Sequence, residues 1–362
     1  MFRKAVFSTV LLVLMFVSAA GAPSSAKAAR ACVSAKGQLL IYQGRYEAAI
    51  HEFTCLIEAQ PTEVEGYRGR IEAELLLGRY SDAVRDYAHV TAYVLPVHPD
   101  AQKLIMAGYA DRLAVARSDI PALTGASFAQ WWFFDYASAR HLLSQLLDLR
   151  PDDVYGNLFR GSSRLLSGAT GATRTKGVAD LERAIALAAD SRDVRFIVAD
   201  AYTYGLPDPD RAFAEASLAL DWGLDTPRIH AILASAYLAF GDLAAAGNHI
   251  QRHIELVTTE MMTAPPIASS SSLSLDLVPG RTYEIPVEAR AGQMISITTS
   301  SRDFYDTILV LLAPDGTPVL GSDDANSYFA AFDWVAEETG TYEIWVTSFE
   351  SVNTGELVVD RE

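Results

Sequence analysis

The chain is poor in cysteine, in cations and in long apolar runs. Two cysteines among 362 residues cannot build a disulfide-dense scaffold or a four-thiolate zinc site. Lysine and arginine number 29 against 45 aspartates and glutamates, a formal net charge of −16. Such a chain repels phosphate backbones, so no nucleic-acid partner is expected. Past the first thirty residues no apolar run nears the roughly 18 residues of a membrane span. Catalytic signatures are missing too: there is no Gly-x-Ser-x-Gly, no His-Glu-x-x-His, no phosphate loop and no dinucleotide fingerprint. The expectation is a protein that is not an enzyme. What remains is 50% hydrophobic and 20% charged, a composition that folds, in a chain long enough for about two domains.

The first segment has the layout of an export signal. Arg3 and Lys4 precede an apolar stretch, Ala5 to Val17, followed by small residues. The stretch is short for a span and suits a signal core. Cleavage after Ala28, following Ala26-Lys27-Ala28, is favoured over cleavage after Ala22, where Pro23 comes next. Retention as an anchor is the alternative. Residues 1–28 are thus expected as a signal peptide, with the mature protein exported to the periplasm, the cell surface or beyond, and without a stable membrane span once the signal is removed.

Residues 30–259 repeat. Gly44, Arg45 and Tyr46 recur as Gly78, Arg79 and Tyr80, and Ala49, Phe53 and Leu56 recur as Ala83, Tyr87 and Val90, each 34 positions later. The glycines sit between two helical patterns, where a tight turn needs positive φ. The alanines permit close helix approach, and the aromatic and aliphatic positions continue one apolar stripe. Gly37, Gly44, Tyr46, Ala49, Phe53 and Pro61 make the first unit resemble the tetratricopeptide repeat family. That resemblance implies helix–turn–helix units stacked into a superhelix with a concave binding face. Later units drift. Ala139 lies 56 residues after Ala83, so the third unit carries surplus chain, expected around Val115–Phe134 after a first helix from about Asp100. A Gly/Thr-rich turn is expected at Gly168–Gly177, and the whole makes about six hairpins.

From Thr258 to Ser272 two prolines and a serine run indicate a linker. Beyond it apolar residues alternate, as in Leu273, Leu275 and Leu277 or Tyr283, Ile285 and Val287. Short strands at about ten-residue spacing with Gly/Pro turns predict an antiparallel β-sandwich over 273–362. Val278-Pro279-Gly280, Ala291-Gly292-Gln293, Pro314-Asp315-Gly316-Thr317, Asp323-Asp324 and Thr339-Gly340-Thr341-Tyr342 resemble the bacterial pre-peptidase C-terminal domain family. The resemblance implies a small jelly-roll-like module appended to exported proteins for targeting or binding. From 274 to 362 there are 16 acidic residues and four arginines, a net of −12.

The expected function is an exported, non-enzymatic scaffold holding a protein or peptide in the concave groove. Glu65, Arg68 and Glu72 share one first-helix stripe that would face it. Trp131 and Trp132, in the run Trp131-Trp132-Phe133-Phe134, are candidate interface anchors, set against a plain core role. The alternative function is a carbohydrate- or matrix-binding accessory protein that works through the sandwich. Asp303, Asp306, Asp323 and Asp324 are hard oxygen donors near strand ends, which makes calcium the one cofactor to consider; turn residues of this kind are also ordinary. His249 and His253 share a helix face, a spacing that suits a metal ligand pair or simple packing. In a hairpin of this family Gly37 opposes Ala49, and antiparallel pairing then puts Cys32 and Cys55 at one level. Each lies about 100° off its inward stripe, so they either meet along the edge of the first hairpin as a disulfide or stay as two thiols.

Overall fold

The computed structural model describes residues 32–61, 64–90, 101–278, 280–301, 306–323, 329–348 and 355–361. Helices come first: α1 (Ser34–Tyr42), α2 (Tyr46–Ala59), α3 (Val64–Leu77), α4 (Tyr80–Tyr87), α5 (Ala101–Val115), α6 (Ile120–Trp132) and α7 (Tyr136–Leu149). They continue as α8 (Val154–Leu166), α9 (Gly171–Leu187), α10 (Arg192–Asp200), α11 (Pro209–Asp221), α12 (Pro227–Phe240) and α13 (Leu243–Val257). A π-helical turn, Ala201–Gly205, extends α10. Six antiparallel hairpins use twelve of these helices; α5 stands outside the pairing because α6 pairs with α7. The surplus in the third unit is therefore α5, not Val115–Phe134, which forms the regular first helix α6. The Gly/Thr-rich segment expected as a turn is also helical from Gly171 onward. Gly168 and Gly171 keep the turn at positive φ, while Gly177 serves helix approach: a Cβ there would lie 3.0 Å from Arg164 and Leu165 side-chain atoms of α8.

Local chemistry starts and stops these helices. Asp119, Asp135, Asp153, Asp208 and Asp242 each accept a hydrogen bond from the backbone N–H three residues on, at 2.8–3.1 Å. These N-caps satisfy donors that the helix leaves unpaired. Gly44, Gly78, Gly168 and Gly241 close first helices at φ between 66° and 78°, a conformation that is cheap for glycine.

Nine strands follow: β1 (Glu260–Thr263), β2 (Ser271–Leu277), β3 (Arg281–Ala289), β4 (Met294–Ser301), β5 (Thr307–Leu312), β6 (Pro318–Asp323), β7 (Ala331–Val335), β8 (Gly340–Ser348) and β9 (Gly355–Arg361). They form two facing sheets, ordered β1-β3-β8-β5-β6 and β2-β9-β4-β7. All pairings are antiparallel except β1 with β3. Alternating side chains such as Ile285, Val287, Ile295, Ile297, Leu309, Leu311, Ile344 and Val346 fill the space between them.

The segment 260–272, expected as a linker, is built into the sandwich. Glu260 to Thr263 pairs in register with Arg281 to Glu284. Ala264 and Ile267 are buried, and their N–H groups donate to Glu284 and Pro286 carbonyls at 2.8 and 3.2 Å. Pro265 and Pro266 face outward between these two anchors. An edge position is where proline's missing N–H does no harm, so linker-like composition and a docked segment coexist.

The array and the sandwich share a third core. β5 is buried along its whole length: Leu309 and Leu311 face the sandwich interior, while Ile308, Val310 and Leu312 pack with Ala234, Ile250 and Ile254 of the last hairpin. α13 lies against β6 so closely that a Cβ on Gly247 would stand 3.0 Å from the Leu320 backbone, and one on Gly321 would stand 2.5 Å from Ile250. The sandwich therefore covers the last hairpin, where repeat arrays need a cap.

Candidate functional site

The stripe expected to face a groove is mostly interior. Glu65 is exposed, but Arg68 is 6% exposed and Glu72 fully buried. Ten of the fourteen α3 residues are buried, because neighbouring helices surround this helix. Gly69 makes room for the Phe53 ring and Gly66 for Ile57. Burial lowers the Arg68 pKa, against the nearby charges of Glu72 and Glu65, which raise it. Arg68 and Glu72 thus line the packed interior of the array.

Trp131 and Trp132 are also interior, at 3% and 8% exposure. Trp131 donates its indole N–H to Ser162 Oγ at 3.0 Å and meets Tyr87 edge-on at 5.0 Å. Trp132 meets the same tyrosine edge-on at 5.8 Å. Consecutive helical residues diverge by about 100°, yet α6 has neighbours in both directions, so both indoles are covered. The run emerges only past the helix end: Phe134 is 46% exposed.

At the centre lies a polar node. Arg228 of α12 donates from Nε to Asp200 Oδ1 at 2.6 Å and from Nη1 to the Val90 carbonyl at 3.0 Å. The Tyr87 hydroxyl donates to Asp200 Oδ2 at 3.3 Å. The guanidinium also sits over the Tyr87 and Tyr204 rings, at 4.7 and 5.1 Å. This node joins the second hairpin to the fifth and sixth, so the array curls until distant repeats touch. A small pocket of about 130 Å³ marks the same seam, with Tyr67 and His89 on one side and Asp225 and Pro227 on the other.

The histidines expected as a possible pair are directed elsewhere. His253 Nδ1–H donates to the Pro227 carbonyl at 2.9 Å. His249 Nδ1 meets His230 Nδ1 at 2.8 Å, and His230 Nε2 meets Asp225 Oδ1 at 2.8 Å. A carboxylate only accepts, so His230 Nε2 carries a proton and its Nδ1 accepts from His249. Arg252 holds the other Asp225 oxygen at 2.7 Å. That hydrogen bond keeps the Asp225 carboxyl below its usual range, while burial pushes His230 down and His249 down to about 4.

Of the aspartates considered for calcium, Asp306 and Asp323 are described, while Asp303 and Asp324 lie outside the described residues. Among the described residues, no group of three or more His, Cys, Asp or Glu side chains is placed to hold a metal ion. Cys32 and Cys55 are joined as a disulfide with Cα atoms 5.8 Å apart.

One pattern escaped the sequence reading. A cation on the first helix pairs with a carboxylate on the second in four hairpins: Lys36 with Glu52, Arg70 with Asp86, Arg160 with Asp180 and Arg195 with Glu215. The signal was available in the repeat period, since both partners of the first pair recur after 34 residues. Arg70 forms two 2.6 Å bonds to Asp86 and lies 3.9 Å from Glu74. Burial, with the Asp86 charge, raises the Glu74 carboxyl to about 9.

A tetratricopeptide repeat family model matches residues 34–92. Among solved structures, a tetratricopeptide repeat protein from Parabacteroides merdae is 13% identical, with a TM-score of 0.39, over 63% of this chain and 78% of that one. MamA from Desulfovibrio magneticus RS-1 is 18% identical, with a TM-score of 0.37, over 43% and 85%. The pre-peptidase C-terminal domain of a Bacillus anthracis collagenase is 14% identical, with a TM-score of 0.24, over 28% and 95%. A search of curated proteins found no match. The class is thus an array of tetratricopeptide-like hairpins followed by antiparallel-rich sheets. No helix among the described residues is long and apolar enough to cross a membrane.

Proposed function

We propose that this protein is an exported, non-enzymatic scaffold that presents a protein-binding surface on its hairpin array. The observation that carries the reading is the array itself: repeats that match the tetratricopeptide family at 34–92 are followed by further antiparallel hairpins, and the last of them turns at Gly241 in the same left-handed form as the first two. Partner contacts fall on outward side chains, because the stripe of Arg68 and Glu72 is packed inside. The export signal at residues 1–28 and the Cys32–Cys55 bond agree with an oxidising compartment. The test uses the full mature chain as bait for exported and envelope fractions, with chemical crosslinking. A saturable partner that free protein competes away is expected; a chain that retains no protein refutes the reading.

A second reading is favoured by one cleft of the sandwich. Trp334, Tyr342, Glu337 and Glu338 line a recess of about 280 Å³, and an aromatic face beside carboxylates suits a sugar ring and its hydroxyls. Glycan binding by the whole chain that disappears in Trp334→Ala would favour this reading over the first.

A further inference from the structure

Four hairpins join their two helices through a cation and a carboxylate. The sixth, α12 with α13, joins them through two imidazoles: His230 Nδ1 and His249 Nδ1 stand 2.8 Å apart. The histidines occupy the places that the ion pair holds one repeat earlier. His230 is the fourth residue of α12, as Arg195 is of α10, and His249 is the seventh of α13, as Glu215 is of α11. His249 follows Glu215 by 34 residues, the repeat period. Where the fifth hairpin sets Arg195 against Glu215 at 2.6 Å, the sixth sets one histidine against another.

That exchange changes what a proton does. Carboxylates ordinarily take up a proton near pH 4 and guanidinium groups keep theirs, whereas an imidazole takes one up near 6.5. His230 Nε2–H is committed to Asp225 Oδ1 at 2.8 Å, so its Nδ1 is the atom left to accept from His249. One added proton is tolerated: His230 then donates from Nδ1, and His249 accepts there while carrying its own hydrogen on Nε2. A second proton leaves two N–H groups and two positive charges face to face. His230 is 5% exposed and His249 half-buried, so the contact is largely shielded from water.

The neighbours of the pair fix its response. Burial lowers the His230 pKa, Asp225 raises it, Arg252 lowers it and Glu255 raises it. Burial takes His249 down to about 4, and the His230 charge acts in the same direction. Tyr237 of α12 stacks on His249 at 5.5 Å, and Phe213 of α11 backs Tyr237 edge-on at 5.2 Å. One turn on, His253 donates to the Pro227 carbonyl across the same two helices. On its other side α13 meets Ile308, Val310 and Leu312 of β5, and Asp323 ends β6.

We propose that the α12–α13 hairpin is an acid-operated joint: protonation of His230 and His249 together parts the two helices, and α13 swings away from α12 with the sandwich still docked on it. The contacts that Ile250 and Ile254 of α13 make with β5 are apolar, so a proton does not weaken them. Ala234 is the α12 residue that this movement draws out of the shared core. The closed joint refuses protons that the parted one takes up, so opening is favoured as pH falls from about 6.5 towards 4 and levels off below. The joint goes beyond the scaffold function and does not depend on which partner the array holds.

The test follows amide hydrogen exchange of the full chain at pH 7 and pH 5 by mass spectrometry, corrected for the intrinsic effect of pH on exchange. Opening of α12 and α13 rises at least about tenfold from His249 alone. Helices α10 and α11, joined by Arg195 and Glu215, keep their protection, as do strands β5 and β6. His249→Gln removes this titration and keeps the contact, because its side-chain amide donates to a neutral His230 and its carbonyl accepts from a protonated one. In that variant the rise is smaller by about tenfold. Equal opening of α12 and α13 at both pH values overturns the proposal, and so does opening of α10, α11 and the strands to the same degree. A His249→Gln chain that follows wild type overturns it as well. The first two outcomes are read on the wild-type protein, so they decide even if the variant does not fold.

Discussion

Arg228 shows how much one residue carries here. Its side chain is 2% exposed and its partner Asp200 is fully buried. Removing one member of such a pair leaves the other charge without compensation, which costs about 3–5 kcal/mol. Arg228→Met should destabilise by that amount in urea unfolding, and the double variant Arg228→Met/Asp200→Leu should recover most of it. An unchanged midpoint in the single variant would show that the node contributes little. His253 sets a second test, in acid. It is fully buried, and burial pushes its pKa down to about 4, against the Pro227 hydrogen bond that raises it. The unfolded chain protonates this imidazole near 6.5. Between those values the unfolded state binds a proton that the native state refuses, so stability falls as pH drops from about 6.5 to 4 and then levels off. For His253 alone the loss is about 3 kcal/mol. His89 and His249 are pushed down in the same direction, each to about 4, so the wild-type slope is steeper than one group gives. His253→Asn keeps a donor for Pro227 and should flatten that slope in urea midpoints taken from pH 7 to 4; a slope equal to wild type would assign the acid sensitivity elsewhere.

At the scale of elements, five of the six hairpins turn through a left-handed residue, at Gly44, Gly78, Phe134, Gly168 and Gly241, and four carry an ion pair between their two helices. The first hairpin adds the Cys32–Cys55 bond. Lys36 pairs with Glu52, which also accepts from the Val33 N–H at 3.3 Å, so contacts at the start of α1 converge on α2. The bond closes a 23-residue separation, and loop-closure entropy puts its contribution at about 3 kcal/mol. Thiol counting on the denatured, unreduced protein should find no reactive thiol. Reduction should lower stability by about that amount, with amide exchange rising first in α1. Two reactive thiols before reduction would remove the bond from this account.

Across the whole molecule the decisive contact is between α13 and the β5–β6 edge. Ile308, Val310 and Leu312 face helix rather than solvent, so neither part is a free module. Gly247 and Gly321 permit the approach. Gly247→Val places branched carbons against the Leu320 backbone, and overpacking of this kind costs about 1–3 kcal/mol. The wild-type chain should unfold in one transition seen alike by helical circular dichroism and by tryptophan fluorescence. Gly247→Val should lower the midpoint and pull the two signals apart. Coincident, unshifted curves would mean that the joint is not tight.

The sequence alone determined the elements that local chemistry dictates. The 34-residue recurrence of Gly44-Arg45-Tyr46, the alanines at Ala49 and Ala83, and the later change to alternating apolar residues mark hairpins and then strands, because turn geometry and hydrophobic period act over a few residues. Tertiary structure decided everything that depends on what lies opposite. Arg68 and Glu72 share a stripe in sequence, yet other helices cover that stripe. Trp131 and Trp132 cannot be told from surface anchors until Tyr87 and Ser162 arrive from other hairpins. Pro265 and Pro266 have linker chemistry, but the β3 edge gives their neighbours Ala264 and Ile267 hydrogen-bond partners and cover. Phe134 is one aromatic among four in the sequence; only the backbone shows it in the left-handed place that Gly44, Gly78, Gly168 and Gly241 take in four other hairpins. Burial is a property of pairs of segments brought together by the chain's long-range path, and a one-dimensional pattern specifies each face without specifying what will cover it.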